Sequence, residues 1–288
     1  MSELAADYRL LRRAAGALWL ARDAVRVSGP EARDFLQGQC SQDLAALAVG
    51  QSAWSWVLEP QGKVSALVRV TRVDDDVLVL DTDGGFGDQL RARLVRFKLR
   101  VKADIEALDW QCLAVRGPEA GRVPGGRDAS WPGLPGVDLL GPAPQLPSGV
   151  QPIGLAAYQV ARIEAGIPAM GAELTERTIP AETGIVERTV SFTKGCYTGQ
   201  ELVARIDSRG GHVPRHLRGI VIAAVAPAGA TVVVAGKAVG ALTSVAATPD
   251  GTVALGYVGR DVVPPVSALV TWEGGRAAAR VEALPMVG

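Results

Sequence analysis

Histidine and cysteine are scarce in this chain, with two and three residues among 288. His212 and His216 leave few actors for imidazole chemistry. Cys40, Cys112 and Cys196 are far apart and odd in number, which argues against a disulfide framework and against a Cys-x-x-Cys zinc site. Reduced thiols in a cytoplasmic protein fit this usage better. A charge excess is missing too: 30 Lys plus Arg stand against 30 Asp plus Glu, so nothing pulls the chain as a whole towards nucleic acid or an anionic membrane. No RNA-binding motif with interleaved aromatics appears. Met1 to Gly16 lacks an apolar core of signal-peptide length, because Arg9, Arg12 and Arg13 interrupt it. The longest uncharged run, Gly219 to Gly236, contains Pro227 and several β-branched residues, so it reads as two buried strands and a turn rather than a membrane helix.

Apolar residues make up 48 % and charged residues 21 %, enough for a sizeable core and too apolar for disorder. Ser28-Gly-Pro-Glu31 predicts a helix start, with Ser28 as cap and Pro30 in the first turn. That helix turns Ala32, Phe35 and Leu36 inward and stops near Gly38. Val68, Val70 and Val73, then Val77-Leu-Val-Leu80, predict a hairpin turned at Asp74-Asp-Asp76. Phe86, Leu90, Leu94 and Phe97 mark one face of a helix. Arg91, Arg93, Arg96, Lys98 and Arg100 form its solvated basic side, or a patch facing phosphate or polyglutamate. Gly117 to Gln151 is dense in Pro and Gly and predicts a surface excursion of loops. A helix follows over Gly154 to Ala165, with Leu155, Tyr158 and Ile163 partly buried. After Pro214 six short apolar runs, punctuated at Gly236-Lys237, Pro249-Asp-Gly251 and Glu273-Gly-Gly275, predict a compact C-terminal β-barrel.

The densest unusual cluster is Ser191-Phe-Thr-Lys-Gly-Cys-Tyr-Thr-Gly-Gln-Glu-Leu-Val-Ala-Arg205. Gly195 and Gly199 permit positive φ and close backbone approach. Lys194 lies two residues before Cys196, where an ammonium favours thiolate. Gly199 opens a helix whose free N–H groups suit an anionic or carbonyl ligand. On these residues alone, a packed or merely exposed Cys196 and a functional one both stand.

Lys194-Gly-Cys-Tyr-Thr-Gly-Gln-Glu201 resembles the signature of the YgfZ family, relatives of the glycine cleavage T protein. Val27 to Asp43, Leu58-Glu-Pro-Gln-Gly-Lys63, Arg96-Phe-Lys-Leu-Arg100, Arg162 to Pro168 and Ile179-Pro-Ala-Glu182 resemble further segments of that superfamily. The resemblance implies an α+β, three-domain T-protein-like fold with ferredoxin-like α/β domains around a central folate cavity, closed by a C-terminal β-barrel. It places a discontinuous folate-binding domain at 1–50 plus 110–212, an inserted domain at 51–109 and the barrel at 213–288. It implies tetrahydrofolate or a derivative as cofactor. Glu182 would accept hydrogen bonds from the pteridine, with Arg162, Tyr197, Gly199, Gln200, Glu201 and Arg205 as further cofactor-binding residues. Arg162 with Glu164 also suits an internal ion pair. Cys196 and Lys194 would carry any chemistry, and no metal site is expected, since one cysteine cannot hold a cluster.

Aminomethyltransferases of the superfamily carry an Asp-Asp pair where this chain reads Ser65-Ala66, so glycine cleavage is not expected. The function implied is support of the assembly or repair of iron–sulfur proteins, tRNA-modifying enzymes among them, with those proteins or their assembly machinery as partners and neither membrane nor nucleic acid bound directly. The alternatives are a folate-dependent one-carbon transferase and a module that only binds folate.

Overall fold

The structure is a computed structural model and describes residues 3–248 and 251–287. The turn expected at Pro249-Asp250 and the first two residues of the N-terminal segment lie outside them.

Helix α1 (Glu3–Arg13) leads into strands β1 (Gly16–Leu20) and β2 (Arg22–Ser28), then α2 (Ala32–Gln39). Strands β3 (Ser52–Leu58), β4 (Val64–Asp74) and β5 (Val77–Asp83) precede α3 (Gly87–Phe97) and β6 (Asp104–Leu108). Next come β7 (Gln111–Arg116), β8 (Arg127–Asp128), β9 (Gly136–Gly141), β10 (Gln151–Pro152) and α4 (Leu155–Glu164). Two short helices, α5 (Val186–Thr189) and α6 (Gln200–Ser208), close the α/β part. The C-terminal strands are β11 (Arg215–Ile222), β12 (Thr231–Val234), β13 (Lys237–Thr248), β14 (Gly251–Gly259), β15 (Val266–Trp272) and β16 (Gly275–Glu282).

Three sheets result. One has the order β10-β1-β7-β9-β8, a second β3-β4-β5-β2-β6, and the C-terminal strands close into a barrel, β11-β14-β13-β12-β15-β16. The six strands read from the sequence are the six barrel strands, whose inward Ile220, Val232, Leu242, Val258, Val270 and Val281 form its core. The second sheet takes residues 51–109 together with β2 from before them.

Alternation along β2, β4 and β5 divides the second sheet's faces. Val25, Val27, Val68, Val70, Leu78 and Leu80 pack against Phe35 and Leu36 of α2 and Leu90 and Leu94 of α3. The opposite face carries charge. Arg69 and Asp81 are cross-strand partners in the register of β4 and β5, and Arg22 faces Asp83 across β2 and β5. Arg69 also reaches Asp138 of β9 at 2.9 Å, and Asp138 in turn takes Arg116 of β7 at 2.7 Å. A row of alternating charges, Asp83–Arg22–Asp81–Arg69–Asp138–Arg116, therefore ties the two open sheets together.

Four local expectations change. Ser28 does not cap α2: it belongs to β2 and pairs with Val77 and Asp104, so its backbone is extended. Glu31 takes the N-cap position, and its carboxylate accepts the Lys102 backbone N–H at 2.6 Å. The Pro/Gly-rich stretch is not all loop, because β9 pairs with β7 along its whole length. Its short apolar core, Val137-Asp-Leu-Leu140, was hidden by the turn residues around it. Arg93 is buried rather than solvated, donating to the Leu58 carbonyl at 2.5 Å and Gln39 Oε1 at 3.0 Å, with its guanidinium 3.7 Å from the Phe97 ring centroid. Leu155 at the start of α4 is 57 % exposed, whereas Tyr158 and Ile163 are buried.

Removing one member of a buried charge pair leaves its partners uncompensated. Arg69→Met is expected to cost about 3–5 kcal/mol, read as a lower urea midpoint with an unchanged slope. A midpoint equal to that of the parent chain would show that the row contributes no stability.

Candidate functional site

The charged row forms part of the wall of a cavity of about 420 Å³. Arg22, Asp83, Arg116 and Asp138 line it, with Arg162 of α4 opposite, and Trp19, Trp54, Trp131, Tyr158 and Phe86 supply aromatic surface. The size and the mixture of apolar walls with a few polar groups suit a small organic ligand. Trp54 and Trp131 meet with ring centroids 5.2 Å apart at 56°, and the guanidinium carbons of Arg22 and Arg69 lie 5.6 and 5.7 Å from the Trp54 ring.

The electrostatics leave donors, not acceptors. Burial alone would raise the Asp138 carboxyl, but Arg116, Arg69 and Arg22 together hold it well below the usual carboxylate range. Asp83 accepts from Arg22 at 3.0 Å through one oxygen and from the Met170 backbone N–H at 2.9 Å through the other. Both acids of the lining thus have hydrogen-bond partners on both carboxylate oxygens. Arg22 Nη2 and Trp54 Nε1, by contrast, are buried without a hydrogen-bond partner, and the Arg22 side chain is only 8 % exposed. A buried donor without an acceptor carries a desolvation penalty that a ligand oxygen or nitrogen removes.

The residues singled out from the sequence fall in three places. Arg162 lines the cavity; it donates to Gln159 Oε1 at 2.8 Å and to the Ile167 carbonyl at 2.7 Å, and pairs with Glu173 at 3.4 Å. Glu164 instead meets Arg12 and Tyr8. Glu182 is buried at the end of a short 3-10 turn and outside the cavity lining. Its two oxygens take Arg215 Nε at 3.1 Å and Nη2 at 3.0 Å, a bidentate pair lying beside Tyr257.

The Lys194–Glu201 segment forms a third group away from the cavity. Lys194 Nζ donates to the carbonyls of Gln37, Cys40 and Gln42 at 2.7, 2.7 and 2.9 Å, where α2 ends. This ammonium completes a helix C-terminus, the end of a helix where cations are favourable. Tyr197 is buried with Trp56, Leu58, Val64 and Val203, and burial pushes its hydroxyl up to about 12. Gly199 has φ +83°, and a Cβ there would sit 2.5 Å from the Glu59 carbonyl oxygen. Gly62, at φ +80°, lies against Leu202 and the Gly199 carbonyl in the same way. The two glycines let the Leu58–Lys63 turn and the Lys194–Glu201 segment touch. Gln200 Oε1 accepts the Tyr197 N–H at 3.0 Å, holding the turn into α6. Glu201 and Arg205 are exposed on that helix, and Cys196 is exposed at the tip of the segment.

Arg162 apart, the charged residues of the cavity and of the row behind it escaped the sequence reading. The available signal was an ionisable residue inside an apolar strand: Arg69 among valines, Asp81 after Val-Leu-Val-Leu80, Asp138 in Val137-Asp-Leu-Leu140. Such residues require partners, but the partners sit on other strands.

The comparisons with known proteins agree with this architecture. The GCVT N-terminal domain model matches residues 4–124. The aminomethyltransferase T of the glycine cleavage system from Bartonella henselae superposes with a TM-score of 0.83 at 24 % identity, covering 99 % of this chain and 89 % of that one. An "Iron-sulfur cluster assembly factor IBA57 homolog, mitochondrial" from Pyricularia oryzae is 30 % identical over 209 residues, 66 % of this chain and 53 % of the relative. A "tRNA-modifying protein YgfZ" from Edwardsiella ictaluri is 28 % identical over 222 residues, 65 % of each. The chain thus spans about half to two thirds of the length of these curated relatives. The fold is that of an aminomethyltransferase, a mixed α/β body with a closed six-stranded barrel. Residues 4–124 match a GCVT N-terminal domain, and the chain is similar to YgfZ-like and IBA57-like relatives.

Burial and exposure order the three thiols. Desolvation pushes Cys40 up to about 11 and Cys112 up to about 12, so both stay protonated near neutrality. Cys196 is expected to be alkylated in the native protein while Cys40 and Cys112 react only after unfolding, measured by mass spectrometry of a timed iodoacetamide reaction. Lys194→Met is expected to cost about 1–3 kcal/mol by stranding three carbonyls without slowing alkylation of Cys196. A Cys196 rate that falls with Lys194→Met in a folded protein would show that the ammonium acts on the thiol rather than on α2.

Proposed function

We propose that this chain is a cytoplasmic folate-binding protein that supports the assembly or repair of iron–sulfur proteins, tRNA-modifying enzymes among them. The observation that carries the reading is the aromatic cavity whose lining residues hold three orphaned buried donors, Arg22 Nη2, Arg116 Nε and Trp54 Nε1. A reduced folate offers what such a cavity lacks: a flat heterocycle for the aromatic walls and acceptor atoms for the free N–H groups. Trp19 and Tyr158 would bound the ring, with Arg22, Trp54 and Arg162 as polar contacts. Bound there, a reduced folate supplies a one-carbon carrier; the residues around it bind, orient and exclude water.

Glu182 enters this reading as a contact only by releasing Arg215, to which it is paired outside the cavity lining. Lys194, Tyr197, Gly199 and Gln200 shape the segment that presents Cys196, and the exposed thiol with Glu201 and Arg205 faces an iron–sulfur protein or its assembly machinery. The relatives named for iron–sulfur cluster assembly and for tRNA modification support that role.

A one-carbon transferase is the weaker reading. Ser65 and Ala66 are both buried in β4, and neither is an acid or a base. The acids of the lining, Asp83 and Asp138, are engaged by arginines. A transferase needs a group free to take a proton.

Titration with tetrahydrofolate, followed by tryptophan fluorescence, is expected to give saturable quenching. Trp19→Ala is expected to weaken binding about tenfold, the scale of one lost aromatic contact, and Ala169→Trp to block it by filling the cavity. Absence of quenching in the folded parent chain, or equal affinity in both variants, removes folate from this cavity. Separately, a strain lacking the protein is expected to lose [4Fe–4S] enzyme activity, with Cys196→Ser failing to restore it. Full restoration by that variant removes the thiol from the role.

A further inference from the structure

A second cavity of about 420 Å³ opens where the barrel meets the α/β part, and Trp131 lines both cavities. Its apolar walls come from Trp131, Pro132, Leu217, Pro264, Leu284 and Pro285. Its charged lining is Arg188, Arg218 and Glu187, two cations and one exposed acid.

The two arginines differ from the buried arginines described above. Arg22, Arg69, Arg116 and Arg215 each touch a carboxylate. Among the described residues neither Arg188 nor Arg218 has a carboxylate oxygen within the 4.0 Å of an ion pair. Arg188 Nη2 donates to the Ser130 carbonyl, and its guanidinium carbon lies 4.6 Å from the Trp131 ring centroid. Arg218 Nη1 donates to the Leu217 carbonyl at 3.2 Å. The Nε of each is buried and without a hydrogen-bond partner. Burial pulls both guanidiniums below their ordinary value, offset for Arg188 in part by Asp128 from beyond contact distance. Two cations thus line one cavity, each with an unused N–H and neither in contact with a carboxylate. A ligand bearing two negative charges supplies both missing features, and guanidinium groups bind planar or tetrahedral oxyanions with paired hydrogen bonds.

We propose that this cavity binds a small dianionic oxyanion ligand, a phosphate monoester or a dicarboxylate, held by Arg188 and Arg218 with its carbon body against the proline and leucine walls. The site does not depend on the folate reading, because the two cavities share Trp131 alone among their lining residues. Glu187 sets the upper limit on ligand charge by opposing part of it.

The test is thermal unfolding of the full chain with inorganic phosphate or with glutarate, against chloride at equal ionic strength. Phosphate or glutarate is expected to raise Tm more than chloride does, and the larger rise distinguishes the phosphate from the dicarboxylate. Arg218→Met is expected to lose that rise and, in the absence of the anion, to raise Tm, since it removes a partly buried cation that has no carboxylate partner. Glu187→Gln keeps both arginines and is expected to tighten binding several-fold. Equal Tm in all three salts for the parent chain and for Glu187→Gln overturns the proposal. So does an Arg218→Met chain that is unfolded or less stable without the anion, because the arginine would then be structural. Tetrahydrofolate affinity is expected to be unchanged in Arg218→Met; a matching loss would make this cavity an arm of the first one and not a site of its own.

Discussion

The charge row between the two open sheets is the constraint on which the site depends. Six ionisable side chains alternate in sign from Asp83 to Arg116, and most are wholly buried. Each ion taken from water costs several kcal/mol before pairing. The alternation offsets this, because every interior member touches two opposite charges. The buried apolar face already disfavours a slip of one residue, which would turn it outward. The row adds to this, since the same slip would turn Arg69 and Asp81 into the helix-packed core.

The same row shapes the cavity and fixes its character. Its terminal members, Arg22 and Asp138 line the wall, with their carboxylates already satisfied and two arginine nitrogens left over. The protein therefore presents donors and aromatic surface at this place while withholding a free base. Binding without proton transfer is what such a wall does well. The exposed thiol sits elsewhere, on a segment locked to α2 by Lys194 and to the Leu58–Lys63 turn by two glycines. Cavity and thiol are thus separate surfaces joined through the second sheet, whose helix α2 ends against Lys194 and whose β4 supplies Arg69 and Leu67 to the cavity side.

Within the α/β part, packing reassigned residues that local pattern had placed elsewhere. Arg93 lies on a helix otherwise decorated with solvated cations, yet it is drawn in by the Leu58 carbonyl and the Phe97 ring. Lys194 looked like an activator of its neighbour Cys196, whereas three backbone carbonyls from another helix hold it. In both cases main-chain oxygens are among the acceptors, and no side-chain pattern records those.

The sequence by itself determined the barrel, the hairpin of β4 and β5, the helices α3 and α4, and the superfamily resemblance. Each rests on short-range periodicity, on turn residues or on one contiguous signature, and those are local properties of a chain. It also indicated which cysteine would be exposed, because Cys40 and Cys112 adjoin apolar elements while Cys196 lies between glycines. Only the tertiary structure decided the cavity. Its wall draws on β1, β2, β3, β4, β5, β7, β9 and α4 with their flanking loops, and the contributing residues run from Trp19 to Met170. The partner of Arg69 is set by sheet register and by the meeting of two sheets, and the partner of Glu182 by a barrel strand. Contacts of that kind follow from the three-dimensional path of the backbone, which no window of sequence contains.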